Sequence, residues 1–218
     1  MTTSDRPSIF EELGIPELPG SPSSEDQLFS TQEDWWNNAC MNWSSSGWSL
    51  YASGYKEAAD ALVAKVEERS SSQDTFVYPV LFLYRQYLEL QLKMMVRTLR
   101  HLQDVGRDFP KGHRIDVLWV EAEKLIRQAF PEESKAELVE TRRLIHEFAK
   151  VDPLSTAFRY PVDKDGNPSL PGITYINLRN VRDVMAKIAM LLDGAYTMAY
   201  EHLQFKLEME HEFRNSNY

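Results

Sequence analysis

An apolar stripe with helical spacing runs through the middle of this 218-residue chain and constrains its fold more than any other feature. Such intervals of three and four residues align side chains along one face of an α-helix, which has to be buried against neighbouring elements. The stripe therefore predicts a long central helix, capped by Asp74 and Thr75, with Pro79 in its first turn and an end near Gln103. Its members are Leu81, Tyr84, Leu88, Leu92, Met95, Leu99 and Leu102.

Four further segments repeat apolar residues at helical spacing and favour an all-α protein. They run from about 48 to 69, from 113 to 130, from 134 to 150, and from a capping Asn177 to as far as 213. Residues 152–176 break this pattern with two short extended runs around an Asp-Gly pair, which is typical of a tight turn. We therefore predict a bundle of about five helices with a small hairpin insertion at 152–176.

Acidic residues are concentrated at the start of the chain. Residues 1–34 hold eight acids and one base, a net charge of −7 out of −9 for the whole chain, so the remainder is nearly neutral and can present a basic face. Prolines and serines are frequent in the same segment, which cannot bury enough apolar surface to offset the entropy of ordering. We predict that residues 1–33 form a flexible acidic arm, disordered or extended, and that residues 34–218 form a single helical domain.

Four tryptophans follow the arm at close intervals, at positions 35, 36, 43 and 48. Stacking on a base or a sugar is one use of clustered tryptophans. Burial in a core is commoner, because each ring buries a large area and needs one partner for its nitrogen. We expect these tryptophans to belong to the core.

The sequence gives no sign of a membrane or a disulfide. No stretch approaches the roughly 18 to 20 apolar residues that cross a bilayer, and the polar start lacks the features of a signal peptide. We therefore expect a cytoplasmic protein with no membrane partner. Cys40 is the sole cysteine, which excludes an intrachain disulfide.

The sequence contains partial matches to metal-binding motifs, and none of them is complete. Residues 163–174 begin like a calcium loop, but Pro168 stands where glycine is needed and Thr174 where a bidentate glutamate is needed. Glu208 and His211 have the spacing of a di-iron ligand pair, yet the pair occurs once and two are needed. Signatures of metalloproteases, esterases and phosphate-binding loops are absent. We expect no cofactor and no metal site.

One set of polar residues is a candidate binding site. Arg85, Glu89 and Lys93 stand four apart on the central helix, so their side chains share one face. If the helices pack as predicted, further polar residues converge with them at one end of the bundle, where they suit a phosphate or a ribose: His113, Asp152, Ser155, Arg159 and Tyr160. The alternative is structural, namely an ion-pair ladder on the helix and a buried polar network that closes the hairpin.

Two segments carry a resemblance to a known superfamily. The runs 82–93 and 112–119 resemble the helical core of HEPN-type proteins, small all-α domains common in prokaryotic toxin–antitoxin and antiphage systems. Residues 152–161 and 163–167 resemble a stretch in uncharacterised bacterial relatives of this type. The similarity covers about residues 76–195.

This resemblance implies a possible catalytic pair. Active HEPN proteins are metal-independent endoribonucleases with an arginine and a following histidine separated by four to six residues, paired across a dimer. Histidine then acts as general acid or base, and arginine stabilises charge on the phosphate. Among the five histidines here, Arg107 and His113 give a match. The structural alternative is that His113 bonds to free backbone groups at a helix start or to Glu89.

These observations lead to one hypothesis and two alternatives. The first is a HEPN-like binding module of a prokaryotic defence or toxin–antitoxin system, a homodimer through its long helices, that engages RNA or a partner protein. One alternative is a metal-independent endoribonuclease that uses Arg107 and His113. The other is a structural or regulatory subunit that docks on a basic partner protein through residues 1–30.

Overall fold

The computed structural model describes residues 20–41, 47–69, 71–132 and 135–216, without the side chains of 69 and 135. These residues contain five α-helices and no β-sheet, which confirms the predicted all-α bundle. The helices are α1 (Gly47–Arg69), α2 (Gln73–Leu102), α3 (Ile115–Ala129), α4 (Lys135–Val151) and α5 (Leu178–Ser216).

The chain divides into two compact units, Met1–Trp43 and Ser44–Tyr218. Described residues 20–41 of the first unit are almost all exposed, and a short 3-10 helix spans Trp35–Asn37. Trp35 and Trp36 are 75% and 70% exposed, so the expectation that they belong to a core is wrong. The 3-10 helix has no buried residues, and the two indole rings contact each other edge to face. Trp43 and most of the acidic arm, residues 1–19, lie outside the described residues.

Helix α2 is the centre of the second unit, as predicted. It packs against α1, α3 and α5, and Tyr84, Leu88 and Leu92 of its apolar stripe are fully buried. The predicted start was too late, because the helix begins at Gln73 and so places Pro79 beyond the first turn. The cost of the missing backbone hydrogen bond is offset by the burial of the rest of this long helix.

Polar contacts fix α2 against two of its neighbours. The Tyr84 hydroxyl donates to Asp60 of α1 over 2.5 Å, and Tyr87 and Gln91 donate to Asp193 of α5 over 3.1 and 2.9 Å. Burial raises the pKa of the Asp193 carboxyl, an effect that the hydrogen bond from Tyr87 opposes. These bonds set the register of α1 and α5 along α2.

The connection from α4 to α5 contains the predicted hairpin in a reduced form. An antiparallel bridge joins Val162 to Pro168, and the Asp163 carboxylate accepts the backbone N–H groups of Asp165 and Asn167 over 2.8 and 2.9 Å. These hydrogen bonds lower the pKa of Asp163. Residues 173–176 form no strand, and the Asn177 side chain caps α5 as predicted, by accepting the N–H of Asn180.

We predict that Leu192→Ala lowers the free energy of unfolding by about 2–5 kcal/mol, because its fully buried side chain leaves a cavity beside α2. Met190→Ala, on the same helix but 76% exposed, is the control and changes it by less than about 0.5 kcal/mol. Urea denaturation measures both values. Equal losses for the two variants would contradict this packing of α5.

Candidate functional site

The guanidinium of Arg85 lies at the centre of the polar residues singled out in the sequence. It is fully buried and donates to three acceptors: the Glu89 carboxylate, the backbone carbonyl of Asp152 and the backbone carbonyl of His113. Burial lowers the pKa of Arg85, and the charges of Glu89 and Asp152 oppose that effect. A single side chain on α2 therefore holds both the segment that precedes α3 and the segment that follows α4.

The Glu89 carboxylate joins two cations to a histidine. It lies 3.3 Å from Arg85 and 2.9 Å from the Lys93 ammonium, and its oxygen Oε1 is 2.7 Å from Nδ1 of His113. Glu89 and Lys93 are buried, whereas the His113 side chain is 70% exposed. An ionised carboxylate can only accept, so Nδ1 is the donor of this bond, and in the tautomer that makes it Nε2 is the nitrogen with the lone pair. The exposed imidazole is thus oriented as a proton acceptor.

The predicted residues after α4 reach the same part of α2. Asp152 is fully buried, and its Oδ1 accepts the N–H groups of residues 156 and 157. Ser155 has a φ of 60° and accepts a hydrogen bond from Gln86 over 2.6 Å. Arg159 donates to the Ser155 carbonyl over 2.7 Å, and its guanidinium lies 5.3 Å from the ring centre of Tyr160. The structure therefore brings the predicted binding residues to one region, around the middle of α2.

Arg107 does not join this cluster. Residues 103–114, which we call the return segment, run back along α2 between its end and the start of α3. Arg97 donates to the Arg107 carbonyl over 3.0 Å, whereas His113 contacts Glu89. Positions 89 and 97 are eight residues apart, so these attachment points are separated by about 12 Å along the helix. Within one chain, Arg107 and His113 are therefore held at different levels of α2.

A cleft between α1, α2, α5 and the return segment was missed by the sequence analysis. We call it the aromatic cleft; its volume is about 470 Å³, and its walls are Trp48, Ser49, Met94, Arg97, Thr98, His101, Phe109, Tyr196, Tyr200 and Leu203. Trp48 stacks on Phe109 with ring centres 4.0 Å apart, and the Arg97 guanidinium lies 4.6 Å from the Phe109 ring centre. Tyr196 and Tyr200 stack one helical turn apart on α5.

His101 gives the cleft an unmet hydrogen-bonding group. Its Nε2 is buried and has no partner among the residues that the structure describes. Burial lowers the pKa of His101, and the positive charges of Arg107, Lys206 and Arg97 lower it further. Three cations and one carboxylate, that of Asp104, therefore act on this imidazole.

Other features of the described residues carry less chemistry. A groove of about 610 Å³ between α3, α4 and α5 is lined mainly by leucine, isoleucine and methionine side chains. Among the residues that the structure describes, no group of three or more histidine, cysteine, aspartate or glutamate side chains is arranged to hold a metal ion. None of the helices in the described part is both long and apolar enough to cross a membrane.

Comparison with known proteins finds no matching family model, no matching curated protein and no matching solved structure. The HEPN resemblance therefore stays a prediction from the sequence.

We predict that Glu89→Gln lowers the free energy of unfolding by about 3–5 kcal/mol, because it leaves Arg85 and Lys93 buried without their counter-charge. His113→Ala removes an exposed partner of the same carboxylate and costs less than about 1 kcal/mol. Chemical denaturation at pH 7 compares the two. A Glu89→Gln variant as stable as wild type would contradict the buried ion network.

Proposed function

We propose that this chain is a HEPN-like helical module that binds RNA through the return segment and the adjoining face of α2. The setting that the resemblance implies is a prokaryotic defence or toxin–antitoxin system. One observation carries the proposal: the return segment, which carries exposed cations, also contributes Phe109 to the wall of a cleft lined by aromatic rings. Cations along the backbone and rings for the bases are the usual combination in proteins that bind single-stranded nucleic acid.

The charge arrangement supports a phosphate ligand. Arg107 and Lys111 are exposed, and among the described residues neither lies within ion-pair distance of an acid, although the charge of Arg107 acts on Asp104. Their neighbours Arg100 and Lys206, by contrast, are neutralised by Glu121 and Asp104. The negative net charge of the chain is compatible with a phosphate ligand, because most of that charge belongs to residues 1–34. The phosphates of a polyanion can therefore form ion pairs with Arg107 and Lys111, which strengthens binding.

We expect a fluorescently labelled single-stranded 20-mer RNA to bind with an affinity that falls as salt rises. In Arg107→Ala/Lys111→Ala, the slope of log Kd against log salt falls by about 1.4, because each phosphate contact on a single strand contributes about 0.7. The control Lys124→Ala/Lys164→Ala removes two exposed charges elsewhere and keeps the wild-type slope. Fluorescence anisotropy between 50 and 300 mM salt measures all three proteins.

Two results would contradict the RNA proposal. One is salt-independent or absent binding by the wild type, and the other is an equal loss of slope in the control variant. Deleting residues 1–30 distinguishes the alternative in which the acidic arm docks on a basic protein. We expect RNA affinity to persist or rise in the deletion, because a competing polyanion is removed.

The Glu89–His113 pair favours a second candidate function, metal-independent RNA cleavage. A histidine oriented by a carboxylate can take a proton from a ribose hydroxyl. Because Arg107 is anchored about two helical turns away, we assign the arginine that acts with His113 to a second copy, as the resemblance implies. The predicted homodimer is therefore part of this candidate.

If this candidate is right, we expect RNA cleavage in the presence of a chelator, loss of cleavage in His113→Ala, and a dimer by light scattering. Mixing His113→Ala with Arg107→Ala should restore activity, because a mixed dimer keeps one intact composite site. Inactive wild-type protein, or full activity in His113→Ala, would contradict cleavage and leave RNA binding in place.

A further inference from the structure

The aromatic cleft has the size and the wall chemistry of a small-ligand site. Its volume of about 470 Å³ lies within the 300–1,000 Å³ range of pockets that enclose one small molecule. Trp48, Tyr196 and Tyr200 offer ring faces, and they are drawn from helices at opposite ends of the chain. Tyr200 is 47% exposed and Trp48 39%, so part of each ring remains open to solvent. Such a cleft favours a planar aromatic ligand.

Charge narrows the class of ligand. Arg97 is part of the cleft wall, and Arg107 is bound to it through its backbone carbonyl. Lys206 forms an ion pair with Asp104. Arg97 and Arg107 are therefore the cations near the cleft that can bind an anionic ligand. The described residues that line the cleft include no aspartate or glutamate. A planar ligand that carries a negative charge outside its ring fits this arrangement, because arginine binds phosphate through paired N–H groups.

His101 favours a ligand whose ring has a polar edge. His101 is half-buried, and its Nε2 is buried with no hydrogen-bond partner among the described residues. A buried polar group without a partner destabilises a protein by about 1–3 kcal/mol. A rotation of the ring toward a ligand in the cleft would supply the missing bond. A ring with nitrogen or oxygen at its edge therefore binds more tightly in this cleft than a hydrocarbon ring.

We propose that the aromatic cleft holds one nucleotide, with its base stacked against Tyr200 and Trp48, the base edge bonded to His101, and its phosphate on Arg97 and Arg107. This inference rests on the proposed function where the nucleotide belongs to an RNA strand, and a free mononucleotide has the same chemistry. A base has to leave a duplex to enter the cleft, so the site selects unpaired RNA.

The test uses the full chain with three probes: a labelled single-stranded 12-mer RNA, the same sequence as a duplex, and adenosine monophosphate. Tyr200→Leu removes the stacking ring, and Tyr200→Phe keeps it. Tyr78→Leu is the matched control, because Tyr78 is a tyrosine of similar exposure, 49%, that does not belong to the cleft. Thermal melts by circular dichroism establish that each variant is folded.

We expect Tyr200→Leu to weaken binding of the single strand at least about fivefold, as expected for the loss of one base–ring stack. Tyr200→Phe and Tyr78→Leu bind like wild type, and duplex binding changes in none of the variants. Adenosine monophosphate, measured by calorimetry, binds wild type more tightly than Tyr200→Leu.

The outcomes separate this inference from RNA binding itself. RNA that binds Tyr200→Leu as tightly as wild type overturns the cleft assignment and leaves the proposed function standing. If no RNA binds but adenosine monophosphate binds through Tyr200, the proposed function fails and the cleft is a site for a free nucleotide. Absence of binding by both RNA and adenosine monophosphate overturns both proposals.

Discussion

The buried guanidinium of Arg85 is the interaction on which the arrangement of the second unit depends. A charge removed from water costs several kcal/mol unless charges and hydrogen bonds replace its hydration. Here the replacement comes from Glu89 on the same helix and from backbone carbonyls of two other segments. Because those carbonyls belong to Asp152 and His113, satisfying Arg85 also fixes where the chain leaves α4 and where it enters α3.

The return segment follows from that constraint. With His113 fixed near the middle of α2 and Gln103 at the helix end, the residues between them have to run back along the helix surface. Arg97 and Arg100 hold this path through the carbonyls of residues 107 and 108. Phe109 is thereby stacked between Trp48 and Arg97, which closes one wall of the aromatic cleft. The same geometry leaves Arg107 and Lys111 facing solvent.

Local patterns predicted the helices and part of the site. The apolar stripe on α2 predicted which face of the helix is buried, because apolar residues at helical spacing lie on one face. The spacing of Arg85, Glu89 and Lys93 predicted their contacts along that helix. The contact of His113 with Glu89 was considered as the structural alternative, and the structure contains it. The exposure of Trp35 and Trp36 was not predicted. A tryptophan in the sequence does not show whether the segment that carries it packs against a core.

The aromatic cleft lay beyond sequence reasoning because its walls come together only through tertiary packing. Trp48 and Tyr200 are 152 positions apart in the sequence, and Phe109 reaches them only because the return segment runs back along α2. Likewise, the separation of Arg107 from His113 depends on which α2 side chains anchor the segment.

The most direct test of this account is photo-crosslinking of the full chain to a single-stranded RNA that contains 4-thiouridine, followed by mass spectrometry of the crosslinked peptides. We expect crosslinks in residues 94–113 and 196–203, which contain the return segment and the cleft tyrosines. Crosslinks confined to residues 20–41 or to the surface of α3 and α4, or none at all, would contradict the account.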